Sequence, residues 1–151
     1  MNKNMIVLGA SGFIGSSIVK HFLSYSSGTV KGFSSQECDT LSLNSIEDSL
    51  SFVKENDVII MASAITRLKE NSFESMINNI RMAENFSRFI EKNKIAHIVF
   101  LSTVDVYGLV KQDTMLNEKL LPGPNDYYAM SKLSSEYILK KMCHKRHIPL
   151  L

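Results

Sequence analysis

Tyr128 and Lys132 stand four residues apart in the stretch "YYAMSK" (127–132). On an α-helix that spacing puts both side chains on one face, with the ammonium free to lie beside the phenol. A tyrosine in water ionises near pH ~10 and is a poor base at neutral pH. A neighbouring cation favours the phenolate and moves the group toward the range useful for proton transfer. Upstream, "LSTVDVYG" (101–108) offers two hydroxyls, Ser102 and Thr103, at the end of an apolar run. Either can hydrogen-bond a substrate oxygen that gains or loses a proton. The chemistry such a set supports is acid/base work on an alcohol or a carbonyl. Tyr127 has Ser131 rather than a lysine one turn on and reads as packing. The competing reading of the pair itself is a packed aromatic beside a solvated charge.

A second constellation lies at the start of the chain. "GASGFIG" places glycines at Gly9, Gly12 and Gly15 directly after the apolar run "MIVL" and before a helical pattern. Three glycines near a turn are common, but a strand before them and a helix after them is the context in which they hold a dinucleotide. Gly9 permits the tight turn, Gly12 lets the backbone approach a pyrophosphate, and Gly15 lets the helix lie close on the strand. The free amides of Ser11, Gly12, Phe13, Ile14 and Gly15 then face the phosphates at the positive end of the helix dipole. The end of the second strand reports on the adenosine ribose. It carries Ser34 and Ser35, with Lys31 close by and Asp39 further on, and no acidic residue at the strand end itself. Both NAD and NADP remain open on this count.

The elements that position these residues alternate along the chain. Short apolar strands are expected at 5–9, 29–33, 57–62 and 97–102, with "IPLL" at 148–151 as the first residues of another. Helical patterns fall between them, beginning at "GSSIVKHFLSY", "NSIEDSLSFVKEN", about Ser72 to Lys92, and "PGPNDYYAMSKLSSEYILKKMCHK". Asn44, with Glu47 three residues on, is the expected cap of the second helix. This alternation predicts an α/β domain built on a parallel sheet. The long third helix has two apolar stripes, one through Phe73, Met76, Ile77, Ile80, Ala83 and Ile90, the other through Met82, Phe86 and Phe89. One stripe faces the sheet; the other is open to a second subunit or to loop cover.

Composition narrows the classes. The chain has 151 residues, 44% of them hydrophobic and 21% charged, which suits one globular domain. A formal net charge of +2 leaves no broad footprint for nucleic acid. The basic run "KKMCHKRH" (140–147) is expected to be a helix C-terminus complementing the dipole. Cys38 and Cys143 have no metal-ligand spacing and read as reduced thiols; no metal site is expected. His21 and His97 flank apolar positions and read as helix-surface and strand-entry residues. No apolar run reaches membrane-spanning length and no signal-peptide design opens the chain, so a cytoplasmic location is expected.

Five segments in order, "GASGFIG", "DVIIMASA", "NNIRMAEN", "LSTVDVYG" and "YYAMSKLSSE", resemble the extended short-chain dehydrogenase/reductase superfamily, the NAD(P)-dependent epimerase/dehydratase group acting largely on nucleotide sugars. The resemblance implies a three-layer, Rossmann-type, doubly wound parallel sheet. Residues 1–151 would be its NAD(P)-binding domain, without the C-terminal region that holds the sugar nucleotide in family members. It implies Thr103 as the catalytic hydroxyl, Tyr128 as general acid or base, and Lys132 as its activator and a ligand of the nicotinamide ribose. It also implies that Ala62, Ser63 and Ala64 let the cofactor pass over the sheet and that Asn79 matches a recurrent asparagine. The dehydratases of this group resemble one another in an Asp-Glu pair after the threonine. Here Val104 and Asp105 occupy those places, which leaves epimerisation or ketone reduction as the expected activity. The alternative is a non-catalytic dinucleotide-binding or dimerisation module, and a homodimer through the 72–92 and 126–145 helices is expected on either view.

Overall fold

The computed structural model describes residues 4–25, 28–109 and 115–151. Four short strands, β1 (Met5–Leu8), β2 (Val30–Phe33), β3 (Val58–Met61) and β4 (His97–Phe100), form a parallel sheet in the order β2-β1-β3-β4. The helices are α1 (Phe13–Tyr25), α2 (Leu43–Ser49), α3 (Phe73–Lys92) and α4 (Tyr127–Arg146), with a 3₁₀ turn at Val104–Tyr107. The expected "IPLL" strand is present as its first step. Leu150 bridges Ile98 in parallel, and Leu151 donates its N–H to the Ile98 carbonyl at 2.9 Å.

Strand register decides what each face of the sheet meets. Val7 pairs with Gly32 on one side and Ile60 on the other, and Ile60 pairs with Val99. A Cβ on Gly32 would meet Val19 of α1 at 3.0 Å, so this face lies against α1. Residues one step along point the other way. Ile6, Leu8, Ile59, Met61 and Ile98 pack into one core with Ile46 and Leu50 from the α2 region, Phe86, Phe89 and Ile90 of α3, and Leu139 and Cys143 of α4. Helices on both faces make the three-layer, doubly wound arrangement.

Local chemistry sets the helix ends. Ser72 and Ser75 cap α3 reciprocally: each hydroxyl accepts from the other's amide, at 3.1 and 3.0 Å. Asp126 caps α4 by accepting from the Ala129 N–H at 2.7 Å. Two expectations need correction at α2. Its cap is Ser42, which accepts from the Ser45 N–H at 3.3 Å, while Asn44 lies within the first turn. The helix also stops at Ser49 instead of running on to the asparagine of "KEN". Short polar side chains at 42, 44 and 45 all have capping potential, and the buried Ile46 and Leu50 fix which one starts the helix. The basic run does end α4, with His144, Lys145 and Arg146 in the last turn and His147 in the left-handed conformation at its close.

Candidate functional site

The glycine turn leaves β1 at its carboxyl end and enters α1. Gly9 has φ +84°, and a Cβ there would press to 2.7 Å from the Ser63 amide nitrogen. At Gly15 a Cβ would fall 2.2 Å from the Gly9 carbonyl oxygen. The turn and the β3 exit therefore close on each other only because side chains are missing. They form one wall of a cleft of about 540 Å³.

Of the residues predicted to hold the cofactor, Gly9, Ser11, Gly12, Phe13, Ile14, Gly15, Asp39, Ala62, Ser63 and Ala64 line this cleft, joined by Ser35. Phe13 and Ile14 are largely exposed at its edge. The Ser63 hydroxyl is buried without a hydrogen-bond partner. A buried hydroxyl left open in a cleft of this size fits a polar ligand passing over the sheet. Backbone amides at the start of α1 belong to the same lining and fit phosphates, so the residues present suit a dinucleotide.

Ser34 is placed differently. Its N–H and hydroxyl both donate to Glu37 Oε2, at 2.8 and 2.7 Å, and these bonds hold the Glu37 carboxyl below its ordinary range. A carboxylate thus stands against the end of β2, supplied from three residues on. The Ser-x-x-Glu spacing was the available signal: it is the spacing of a capping box, here closing a turn.

Asn79 is buried in α3 and lies outside the cleft lining. Its Oδ1 accepts from the Ile65 N–H at 2.8 Å, and its Nδ2 donates to the Ile65 carbonyl at 2.9 Å and the Ser131 hydroxyl at 3.2 Å. Ser131 in turn donates to the Tyr128 carbonyl at 2.7 Å. Ile65 lines the cleft, so one amide side chain ties the cleft wall to the helix that carries Tyr128 and Lys132.

The 3₁₀ turn, which Thr103 precedes, packs against α4. Thr103 caps that turn: its Oγ1 accepts from the Asp105 N–H at 3.3 Å and donates to Asp105 Oδ2 at 3.2 Å. The same carboxylate oxygen lies 3.4 Å from Arg67 Nη1. Ser102, the other hydroxyl considered from sequence, donates to Glu136 instead. Ser102, Thr103, Glu136 and Tyr137 line a second hollow of about 610 Å³, which shares no lining residue with the first.

Tyr128 is half-buried, and burial followed by the Asp105 charge pushes its phenol up from the ordinary value, while Arg67 pulls it down. Lys132 is only 3% exposed, with its ammonium 4.0 Å above the Phe100 ring. Burial lowers its pKa to about 8, opposed by Glu136. Arg67, whose charge lowers the phenol's pKa and which pairs with Asp105, is a residue that sequence alone did not single out. It lies in a loop without periodicity, and no spacing rule points to it.

A glycine-turn cleft at the carboxyl ends of a doubly wound parallel sheet, with a tethered helix bearing Tyr-x-x-x-Lys, defines a Rossmann-type domain. Residues 5–150 match the model of the NAD dependent epimerase/dehydratase family, and the chain belongs to that family. Among curated relatives, it is 28% identical over 142 residues to GDP-6-deoxy-D-talose 4-dehydrogenase of Aggregatibacter actinomycetemcomitans, covering 91% of this chain and 47% of that protein. The fold superposes on UDP-glucuronic acid 4-epimerase from Bacillus cereus in complex with NAD at a TM-score of 0.74 and 24% identity, over 97% of this chain and 54% of that one. It also superposes on RMD from Pseudomonas aeruginosa complexed with NADPH at 0.80 and 22%, over 99% and 52%. The chain thus spans about half the length of the relatives it matches. Among the described residues no helix is long and apolar enough to cross a membrane.

Proposed function

We propose that this chain forms the dinucleotide-binding and proton-transfer part of an enzyme that epimerises or reduces the sugar of a nucleotide sugar. The observation that carries the proposal is the Asn79 tether, which holds the cleft wall at Ile65 and the Tyr128 helix in one rigid unit. Two of the relatives named above, the 4-dehydrogenase and the 4-epimerase, act by their names at C4 of nucleotide-linked sugars, and the same position is the proposed site of chemistry here.

In this reading Ser11, Phe13, Ile14 and Gly15 bind the pyrophosphate through backbone amides, while Gly12, whose N–H donates to the Gly9 carbonyl at 3.1 Å, lets the backbone come close. Ala62, Ser63 and Ala64 let the cofactor cross the sheet, with Ser63 giving it a hydroxyl. Ser35 and Asp39 lie where the adenosine end would sit, and Ser34 acts there only through Glu37. The nicotinamide, when bound, supplies the hydride acceptor or donor. Tyr128 removes the proton of the sugar hydroxyl in oxidation and returns it in reduction. Thr103 hydrogen-bonds the same oxygen, and Lys132 holds the ribose once its ammonium turns from Phe100. Asn79 holds the helix and does not touch the cofactor. NAD and NADP both fit this scheme, although the Glu37 carboxylate disfavours a 2′-phosphate. The proposed location is the cytoplasm, and the proposed assembly is a homodimer through α3 and α4.

A second reading, a dinucleotide-binding module without catalysis, draws support from Lys132, whose charge is buried against Phe100 and Glu136. Two measurements separate the readings. Calorimetric titration with NAD(H) and NADP(H) should detect binding of at least one; no binding of either sinks both. In the complete protein, Tyr128→Phe should abolish turnover with little loss of cofactor affinity. Near-normal turnover in that variant removes Tyr128 from the acid/base role.

A further inference from the structure

Asn79, Met82 and Asn85 are buried residues of α3 that stand three apart, so each neighbours the next on the helix surface. Met82 belongs to the cleft lining. Asn79 holds Ile65, in the part of the lining that leaves β3. Asn85 reaches the part that follows β2. Its Nδ2 donates to the Thr40 carbonyl at 3.1 Å, in a buried bond. Asn85 is 6% and Thr40 4% exposed, and Thr40 lines the cleft together with Cys38, Asp39 and Leu41. Between Phe33, which ends β2, and Leu43, which starts α2, the backbone is neither strand nor helix. Side chains hold it instead. The Asp39 N–H donates to Ser45 Oγ at 2.9 Å, the Leu41 N–H to Asp39 Oδ1 at 2.9 Å, and the Ser49 hydroxyl to the Glu37 carbonyl at 2.7 Å. Those bonds join the segment to itself and to α2, which follows it directly. The Asn85 bond joins residues 45 apart and ties the segment to α3, a helix packed into the core.

We propose that Asn85 is a positioning residue for the adenosine half of the dinucleotide: through the Thr40 carbonyl it holds residues 38–41 in place against α3 and Met82. The proposal rests on the reading of this cleft as a dinucleotide site. In a doubly wound sheet the chain just after the second strand is where the adenosine ribose is met. Asn85 lies outside the cleft lining and acts only through Thr40. Removing its amide leaves a buried carbonyl without a donor. The segment then gains by turning that carbonyl toward water, and it occupies the binding arrangement for only part of the time. Apparent affinity falls by the fraction of time lost.

The test compares the full chain with Asn85→Leu, which keeps the side-chain volume without the donor, and with Asn85→Ala, which removes both. Asp57→Ala is the control, since it loses buried hydrogen bonds to Asn4 and Lys54 at the other end of the sheet. Circular dichroism sets a temperature at which the proteins compared are folded; if one Asn85 variant does not fold, the other decides. Calorimetric titration uses ADP and whichever of NAD and NADP the parent binds, ligands that share the adenosine. Affinity for each should be about tenfold lower in the Asn85 variants. Asp57→Ala should match the parent. Amide exchange followed by NMR should quicken at Asp39 and Leu41 in the Asn85 variants and slow again at saturating ADP. Unchanged affinity or unchanged exchange in those variants, or an equal loss of affinity in Asp57→Ala, overturns the proposal. A parent protein that binds none of these ligands defeats the dinucleotide reading itself, a result distinct from binding on which Asn85 has no influence.

Discussion

The ammonium of Lys132 lies 4.0 Å above the ring of Phe100, the last residue of β4, and the side chain is almost wholly out of water. The aromatic face offsets part of the desolvation of the charge. The remaining cost shows as a pKa lowered from 10.5 to about 8.

That shift makes stability depend on pH in a stated direction. Below about pH 8 Lys132 is protonated in the folded and unfolded chains alike, and the burial penalty is carried in full. Between about 8 and 10.5 the unfolded chain holds more protons, so this group's contribution to stability rises with pH. Lys132→Met should therefore stabilise the fold at pH 7, by up to about 3 kcal/mol less the lost cation–π contact. The gain should shrink as pH approaches 10.5. Urea unfolding of both proteins at pH 7 and pH 10 checks this, and an equal difference at the two values refutes it.

Gly15→Ala should destabilise the chain by about 1–3 kcal/mol and abolish dinucleotide binding, because the added methyl meets the Gly9 carbonyl oxygen at 2.2 Å. Gly12→Ala should be milder, since its methyl stands 3.3 Å from the same oxygen. Thermal melting and calorimetric titration read both effects. A Gly12 variant less stable than the Gly15 variant contradicts the packing account.

Asp57 lies at the opposite, amino-terminal end of the sheet, 1% exposed. Its carboxylate accepts from Asn4 N–H at 3.1 Å, Asn4 Nδ2 at 2.9 Å and Lys54 N–H at 2.9 Å. Asp57→Ala leaves these donors unpaired and should cost about 3 kcal/mol in denaturant unfolding. Cofactor affinity of the folded fraction should not change. A drop in affinity would show that the two ends of the sheet are coupled.

The proposed dimer would form through an exposed stripe of α4. Tyr127, Met130 and Tyr137 recur on one exposed side of α4, and Phe73 of α3 meets Tyr127 edge-on at 6.3 Å. An apolar aromatic stripe of this kind suits an isologous contact with its own copy. Sedimentation should show a dimer that Tyr137→Lys dissociates. A parent protein that is monomeric at high concentration rules out the assembly.

What could be read from sequence was what rests on sterics and periodicity. The glycine turn declares itself because only glycine allows the approaches at Gly9 and Gly15, and α3 and α4 because their apolar and capping residues recur at helical spacing. Contacts between distant segments were not legible. Asn79 gives no local sign that its partners lie 14 and 52 residues away. Glu37 folds back on Ser34 through a spacing that usually announces a helix, and Arg67 finds Asp105 across a loop whose course only the folded chain defines.

The Asn79 amide has one more consequence. Because a single side chain spans the β3 exit and the Tyr128 helix, the spacing between Ile65 of the cleft and Ser131 of that helix is set by covalent geometry and three hydrogen bonds. It behaves as a fixed ruler rather than an adjustable gap. Any rearrangement that brings a ligand into register must take place in what lies over this ruler, and variants of Asn79 should blur the alignment of every ligand at once.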